Sequence, residues 1–212
     1  MKLKEQYLIK GKIKVLTGLC ISGEKETFRI GGLDNSVIKL KNGEPYIPGS
    51  SLKGKIRCLL ERKEDLKEPC SCGECNICIL FGSSKTETTK RPNVLIFRDA
   101  FLEKKDREKE EIEKLFEIKT ENVINRITGK SMNLRIIERV VPGTEFEVEI
   151  VFNEYEGDNH IGLLEKLKEG FELLSNDYLG SSGTRGYGKV DVTEVIRSIE
   201  GVIELFKKQE VG

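Results

Sequence analysis

Apolar residues alternate with lysines and other polar residues near the start of the chain, at Tyr7, Ile9, Ile13 and Val15, and the pattern runs on towards Leu19 and Ile21. A period of two predicts a strand or bent strand pair over 5–20. A sharper alternation, Phe146, Val148, Ile150 and Phe152, follows the Pro142-Gly143 break and predicts a half-buried strand. Elsewhere the period lengthens to that of a helix. Leu52, Ile56, Leu59 and Leu60 make one apolar stripe over about 50–63; Ile161, Leu164, Leu167, Phe171 and Leu174 make another over about 159–175. Pro48-Gly49 breaks the chain before the first of these, and Ser50 or Ser51 can cap it.

Shorter runs predict strands at 93–100 and 189–195, a hairpin around Val37–Leu40 with Asn42-Gly43 at its turn, and a short final helix. Residues 103–119 are almost wholly charged apart from Ile112, Leu115 and Phe116, which predicts an edge helix or a mobile insertion. Residues 120–142 read as a polar, basic excursion that ends in the alternating Leu134–Val140. Two rounds of strand, helix and strand predict an α+β fold, a ferredoxin-like core with helices on one face of an antiparallel sheet. A single domain over 1–212 is expected, with a cysteine-rich insertion at 64–90 and a second insertion over about 100–142. Periodicity does not set the strand order.

With 212 residues, 34% charged and 37% hydrophobic, the chain can bury one sizeable core and reads as folded and soluble. Its formal net charge of zero hides a segregation. Residues 1–63 hold 14 Lys and Arg against 6 Asp and Glu, a net of +8, whereas residues 100–212 carry −7. A positive face for nucleic acid and an acidic face for basic neighbours are both implied. No apolar run reaches membrane-spanning length, and the lysine-rich start lacks the features of a signal peptide, so no membrane partner is expected and the default compartment is the cytoplasm.

Candidate chemistry falls in three places. Gly31-Gly32-Leu33-Asp34 puts a carboxylate at the end of a glycine-permissive loop, close in sequence to a basic helix start carrying Lys53, Lys55 and Arg57. A positive helix end with those cations suits phosphate; the plainer alternatives are an ordinary turn and a solvated amphipathic helix. Cys70, Cys72, Cys75 and Cys78 form a C-x-C-x2-C-x2-C run. Four thiolates so spaced can close a tetrahedral zinc site, free or disulfide-bonded cysteines and an iron–sulfur cluster being the alternatives. The first spacing is tighter than a usual knuckle. Gly180–Gly188 offers main-chain N–H groups with Arg185 for phosphate and Tyr187 to stack on a base, against the alternative of a plain glycine hairpin. Cys20 and Cys58 read as buried thiols, and Asp99 as a second carboxylate or a structural salt-bridge partner. His160, the only histidine, reads as a surface or capping residue. A nuclease built on two histidines is therefore excluded.

Taken together, GGLDN, PYIPGSSLKGKIR, the cysteine loop closing on Ile79–Gly82, Arg91-Pro92, Arg126–Gly129, Glu138–Val140 and GSSGTRGYGKV resemble the backbone subunit of type III-A CRISPR interference complexes, in the RAMP superfamily. The resemblance implies a modified RNA-recognition fold stacked in copies along a guide RNA, beside other subunits of that complex, with a thumb from part of 100–142 interrupting the duplex of guide and complementary target RNA. It implies that Asp34 cuts target RNA once per subunit, with a divalent metal, magnesium, leaving a 2',3'-cyclic phosphate and a 5'-hydroxyl. Lys53, Arg57, Arg126 and Arg185 match its RNA-contacting positions. Base pairing would then choose the target while the protein reads backbone shape. The competing readings are a non-catalytic guide-binding scaffold and a stand-alone RNA-processing endonuclease. Cys20 stands where many relatives carry histidine.

Overall fold

In the computed structural model, which describes residues 1–23, 34–83, 91–103 and 112–211, the first alternation forms strand β1 (Leu3–Val15). It ends earlier than the expected 5–20 because the chain bends after Val15; Leu19 then bridges to Val140 rather than extending the strand. The second alternation forms β7 (Glu145–Tyr155), antiparallel to β1 along nearly its whole length. Ile9 and Ile13 of β1 and Phe146, Val148, Ile150 and Phe152 of β7 are buried in one core. The opposite face of these strands carries cross-strand pairs, Lys10 with Glu149 at 3.7 Å and Lys12 with Glu145 at 3.7 Å. The period of two therefore reports a sheet covered on one side.

Strands β2 (Tyr46–Ile47), β3 (Leu95–Phe97), β4 (Ala100–Leu102) and β8 (Val190–Asp191) complete the sheet in the order β2-β4-β7-β1-β8, with β3 also on β7. Helices α1 (Gly49–Lys63), α3 (His160–Asn176) and α4 (Thr193–Val211) pack together over the buried face, and a short α2 (Asn76–Phe81) abuts α1 and α3. Taking β1, α1, β4, β7, α3 and β8 in turn gives β-α-β-β-α-β, the ferredoxin-like succession, with the third strand between the first and second. No helix among the described residues is long and apolar enough to cross a membrane.

The region 112–124 departs from expectation. Residues 104–111 lie outside the described residues, Ile112–Leu115 make only one 3-10 turn, and Phe116–Ile124 is a strand, β5, paired antiparallel with β6 (Ser131–Val140). Over 112–119 the chain does not form an edge helix, because Leu115 and Phe116 pack on the core and start a ribbon. The polar excursion of 120–142 is that ribbon. Its turn is fixed by Asn125, whose Oδ1 accepts the N–H groups of Ile127 and Thr128 at 2.9 and 3.0 Å. Ile118, Ile124, Ile127, Met132 and Leu134 are all exposed along it.

Candidate nucleic-acid interface and metal centre

Gly31, Gly32 and Leu33 lie outside the described residues; Asp34 opens the segment that follows. Its N–H donates to the Ile136 carbonyl at 2.9 Å, and its carboxylate Oδ2 accepts the Ile136 N–H at 2.7 Å. Asn35 extends this pairing against Ile137 of β6. Behind it Glu138, buried, accepts the Val37 N–H at 2.9 Å and the Lys39 ammonium at 2.7 Å, while Lys39 lies 4.1 Å from the centre of the Phe116 ring. The segment 34–39 is thus fastened to the ribbon. The Asp34 side chain remains exposed and makes no ion pair among the described residues, leaving Oδ1 open to a ligand.

The other face of β5 meets the glycine loop. Tyr187 donates to Glu121 Oε1 at 2.6 Å and Arg185 Nη1 donates to Glu121 Oε2 at 3.0 Å. Lys119 and Arg139 lie 4.4 and 4.5 Å from the Tyr187 ring centre. The ring is 1% exposed and presents no face to solvent. Burial, then the Glu121 bond, pushes the Tyr187 phenol up to about 12, and the same hydroxyl holds the Glu121 carboxyl below its ordinary value. Nothing in the sequence singles out Glu121, one of several charged residues in β5; only the pairing of the ribbon with the loop shows it. Two of the loop's glycines answer to packing. A Cβ at Gly183 would overlap the Tyr178 ring at 1.8 Å, and Gly188, at φ +70, would set one 2.0 Å from the Leu179 carbonyl oxygen. An open recess of about 630 Å³ beside the loop is lined by Thr17, Tyr178, Thr184 and Lys189 among others. Arg126 stands apart from these groups at the exposed ribbon tip, next to Ile127, which is 95% exposed.

Helix α1 starts one residue before the expected Ser50 or Ser51 cap. Asp99 serves instead, Oδ1 accepting the Gly49 N–H at 2.8 Å, so this carboxylate is a cap. Lys53 is half-buried with no bonded partner among the described residues, and burial, then the charge of Arg57, lowers its pKa. Lys55 pairs with Asp177 at 2.9 Å over the Tyr178 ring. Arg57 turns inward, donating from Nε to Glu61 at 2.8 Å, from Nη1 to the Gly82 carbonyl at 2.9 Å and from Nη2 to the Cys70 carbonyl. His160 packs flat on Phe206 with Nε2 2.8 Å from the Tyr155 carbonyl oxygen, and Asn159 provides the cap of α3.

The four cysteine sulfurs all lie within 4.8 Å of one another. Four of the separations are 3.6, 3.7, 3.7 and 3.9 Å, far from a disulfide. Tetrahedral bonding at about 2.3 Å requires sulfur–sulfur edges of roughly 3.8 Å, so the set fits a single thiolate-seeking ion. Despite its tight spacing, Cys70 belongs to it. Main-chain N–H groups of Cys75 and Glu74 bring the Cys72 thiol down to about 6, whereas burial pushes Cys75 up to about 12 and Cys78 upward. The cluster can chelate a metal.

A family model described as RAMPs, RAMP superfamily, matches residues 12–191. The chain belongs to the RAMP superfamily. Within it the chain is 45% identical over 206 residues to the CRISPR system Cms endoribonuclease Csm3 of Methanocaldococcus jannaschii, covering 92% of this chain and 82% of that protein. The protein of the same name from Enterococcus italicus is 39% identical over 210 residues, covering 96% of each. Among solved structures, a Csm3–Csm4 subcomplex of the type III-A CRISPR-Cas interference complex superposes with a TM-score of 0.60 at 37% identity, over 90% of this chain and 76% of that one. A type III-B Cmr-beta complex bound to cognate target RNA shares the fold, with a TM-score of 0.62 at 18% identity over 88% of this chain and 58% of that one. The chain is a Csm3-like member of the RAMP superfamily.

Proposed function

We propose that this chain is a guide-RNA-binding, target-cleaving subunit of a cytoplasmic type III-A CRISPR interference complex, stacked with copies of itself and beside a Csm4-like subunit. The observation that carries this is Asp34: an exposed carboxylate, held by the main chain of β6, with no countercharge among the described residues. A scaffold alone gains nothing from such a charge beside phosphates, which it repels. In this reading the 2'-hydroxyl of the target attacks the adjacent phosphorus and the 5'-oxygen leaves, giving a 2',3'-cyclic phosphate and a 5'-hydroxyl.

Asp34 orients the reacting nucleotide and offers one hard oxygen ligand of the kind magnesium combines with phosphate oxygens. When bound, that ion polarises the phosphate. Lys53, half-buried and without a bonded partner among the described residues, and Arg185, half-exposed, take guide phosphates, with Arg57 and Tyr187 holding that surface from beneath. The ribbon β5–β6, tipped by Arg126 and Ile127, is the thumb that divides the paired target into regular intervals. Zinc in the four-cysteine centre keeps a polar loop ordered.

The alternative, a non-catalytic guide-binding subunit, draws on one observation. Among the described residues, no group of three carboxylate or histidine ligands gathers at Asp34. The reading is tested by assembling the complex on a guide and mapping end-labelled complementary RNA with magnesium or with EDTA. Regularly spaced, guide-dependent cuts with 5'-hydroxyl ends are expected; bound but uncut target would favour the scaffold.

A further inference from the structure

The four cysteines lie in a loop whose two ends are gripped by one side chain. Arg57 donates from Nη2 to the carbonyl of Cys70, the first ligand, and from Nη1 to the carbonyl of Gly82, just past the last ligand, at 2.9 Å. Its Nε donates to Glu61 Oε1 at 2.8 Å, and that same oxygen accepts the Cys70 N–H at 3.2 Å. Both main-chain groups of Cys70 are therefore bonded to a pair of residues one turn apart on α1. An Arg–Glu pair at that spacing is usually a weak surface ion pair. Here the two side chains are 23% and 14% exposed, and the planar guanidinium fork aims at two carbonyls twelve positions apart in sequence.

Inside the loop the sulfurs are further oriented by main-chain N–H groups, Cys75 to Cys72 and Cys78 to Cys75, each at 3.4 Å. These contacts aim individual thiols; the Arg57–Glu61 pair joins the loop's two ends at Cys70 itself, while the Ser83 hydroxyl, donating to the Ser71 carbonyl at 2.8 Å, joins them one residue further along. We infer that Arg57 and Glu61 are positioning residues of the cysteine centre, holding the loop in its metal-binding shape so that the ion need not pay for closing it. Lysine cannot replace the arginine, because a single ammonium has no rigid fork to span Cys70 and Gly82. The inference rests on the cysteines binding a metal and is independent of any role in RNA cleavage.

The test uses the full chain, stripped of metal and titrated with Co2+, whose thiolate charge-transfer and visible bands report a four-sulfur site, with affinity taken from competition against a chromophoric chelator. Arg57→Lys and Glu61→Gln are compared with wild type and with Lys63→Ala, a control on the same helix that pairs with Glu169. Arg57→Lys is expected to weaken Co2+ binding 10- to 100-fold, Glu61→Gln to weaken it in the same direction, and Lys63→Ala to match wild type. The rise in melting temperature on adding metal should shrink in the first two. Affinities within twofold of wild type, with apo and loaded forms destabilised equally, would make the pair a plain brace and overturn the inference. Should Arg57→Lys fail to fold, Glu61→Gln decides by the same comparison. Failure of wild type itself to take up one Co2+ with thiolate bands would overturn the metal reading, and the inference with it.

Discussion

Asp34 and Ile136 are joined twice, main-chain N–H to carbonyl at 2.9 Å in one direction and main-chain N–H to carboxylate at 2.7 Å in the other. The carboxylate is thereby oriented by β6 instead of by another side chain. Asp34→Asn keeps an acceptor for the Ile136 N–H and should leave the thermal midpoint, followed by circular dichroism, nearly unchanged. Asp34→Ala removes the acceptor at an exposed site, which should cost about 1 kcal/mol and lower the midpoint by roughly 2–4 °C. A much larger loss would show that the segment depends on Asp34 for folding.

Asp99 plays a different part. Its carboxylate caps Gly49 at the start of α1, so Asp99→Ala should cost about 1 kcal/mol of stability. RNA cleavage by the assembled complex should be unaffected. Abolished cleavage at normal assembly would instead mark Asp99 as a second reacting carboxylate.

The Tyr187–Glu121 bond sets two limits on stability against pH. Glu121 titrates below its ordinary 4.5 in the folded state, so its contribution is whole above that value and fades as pH falls through the lowered one. Tyr187 is raised from 10.0 to about 12, so its contribution is whole below 10 and fades as pH rises towards 12. Glu121→Gln should lose about 2 kcal/mol near pH 7, and that deficit should narrow as pH falls below the ordinary carboxyl value and through the lowered one. A deficit constant across pH would remove the ionic character of this contact.

Metal removal should act locally first. Purified protein is expected to carry one zinc per chain, and a strong chelator should lower the thermal midpoint by about 5 °C. Hydrogen exchange should quicken across Cys70–Gly82 well before β1 and β7 respond. Identical melting and exchange with and without chelator would show that the cysteines hold no metal.

What could be read in the sequence was whatever has one buried face. Ile9 and Ile13, Phe146 to Phe152, Leu52 to Leu60 and Leu164 to Leu174 alternate between core and solvent, and their periods gave β1, β7, α1 and α3. The ribbon β5–β6 was obscured because Ile118, Ile124, Met132 and Leu134 are apolar yet exposed, which erases the contrast on which periodicity depends. Long-range partners were hidden for another reason. Asp99 caps a helix that begins fifty residues earlier, and Glu121 meets Tyr187 sixty-six residues later. The cysteine cluster was legible from spacing alone, but the Arg57–Glu61 grip on it needed the fold. Asp34 was marked by its glycine loop; its attachment to Ile136 was not.

In the proposed function Asp34 cuts RNA while the rest of the surface holds it. The most direct measurement is single-turnover cleavage of end-labelled complementary RNA by the guide-loaded complex, wild type against Asp34→Asn, with target affinity measured in parallel. Loss of all regularly spaced cuts, by at least about 100-fold in rate, with unchanged target binding and assembly is the predicted result. Undiminished cleavage by the Asp34→Asn complex would contradict it and leave this chain a guide-binding scaffold.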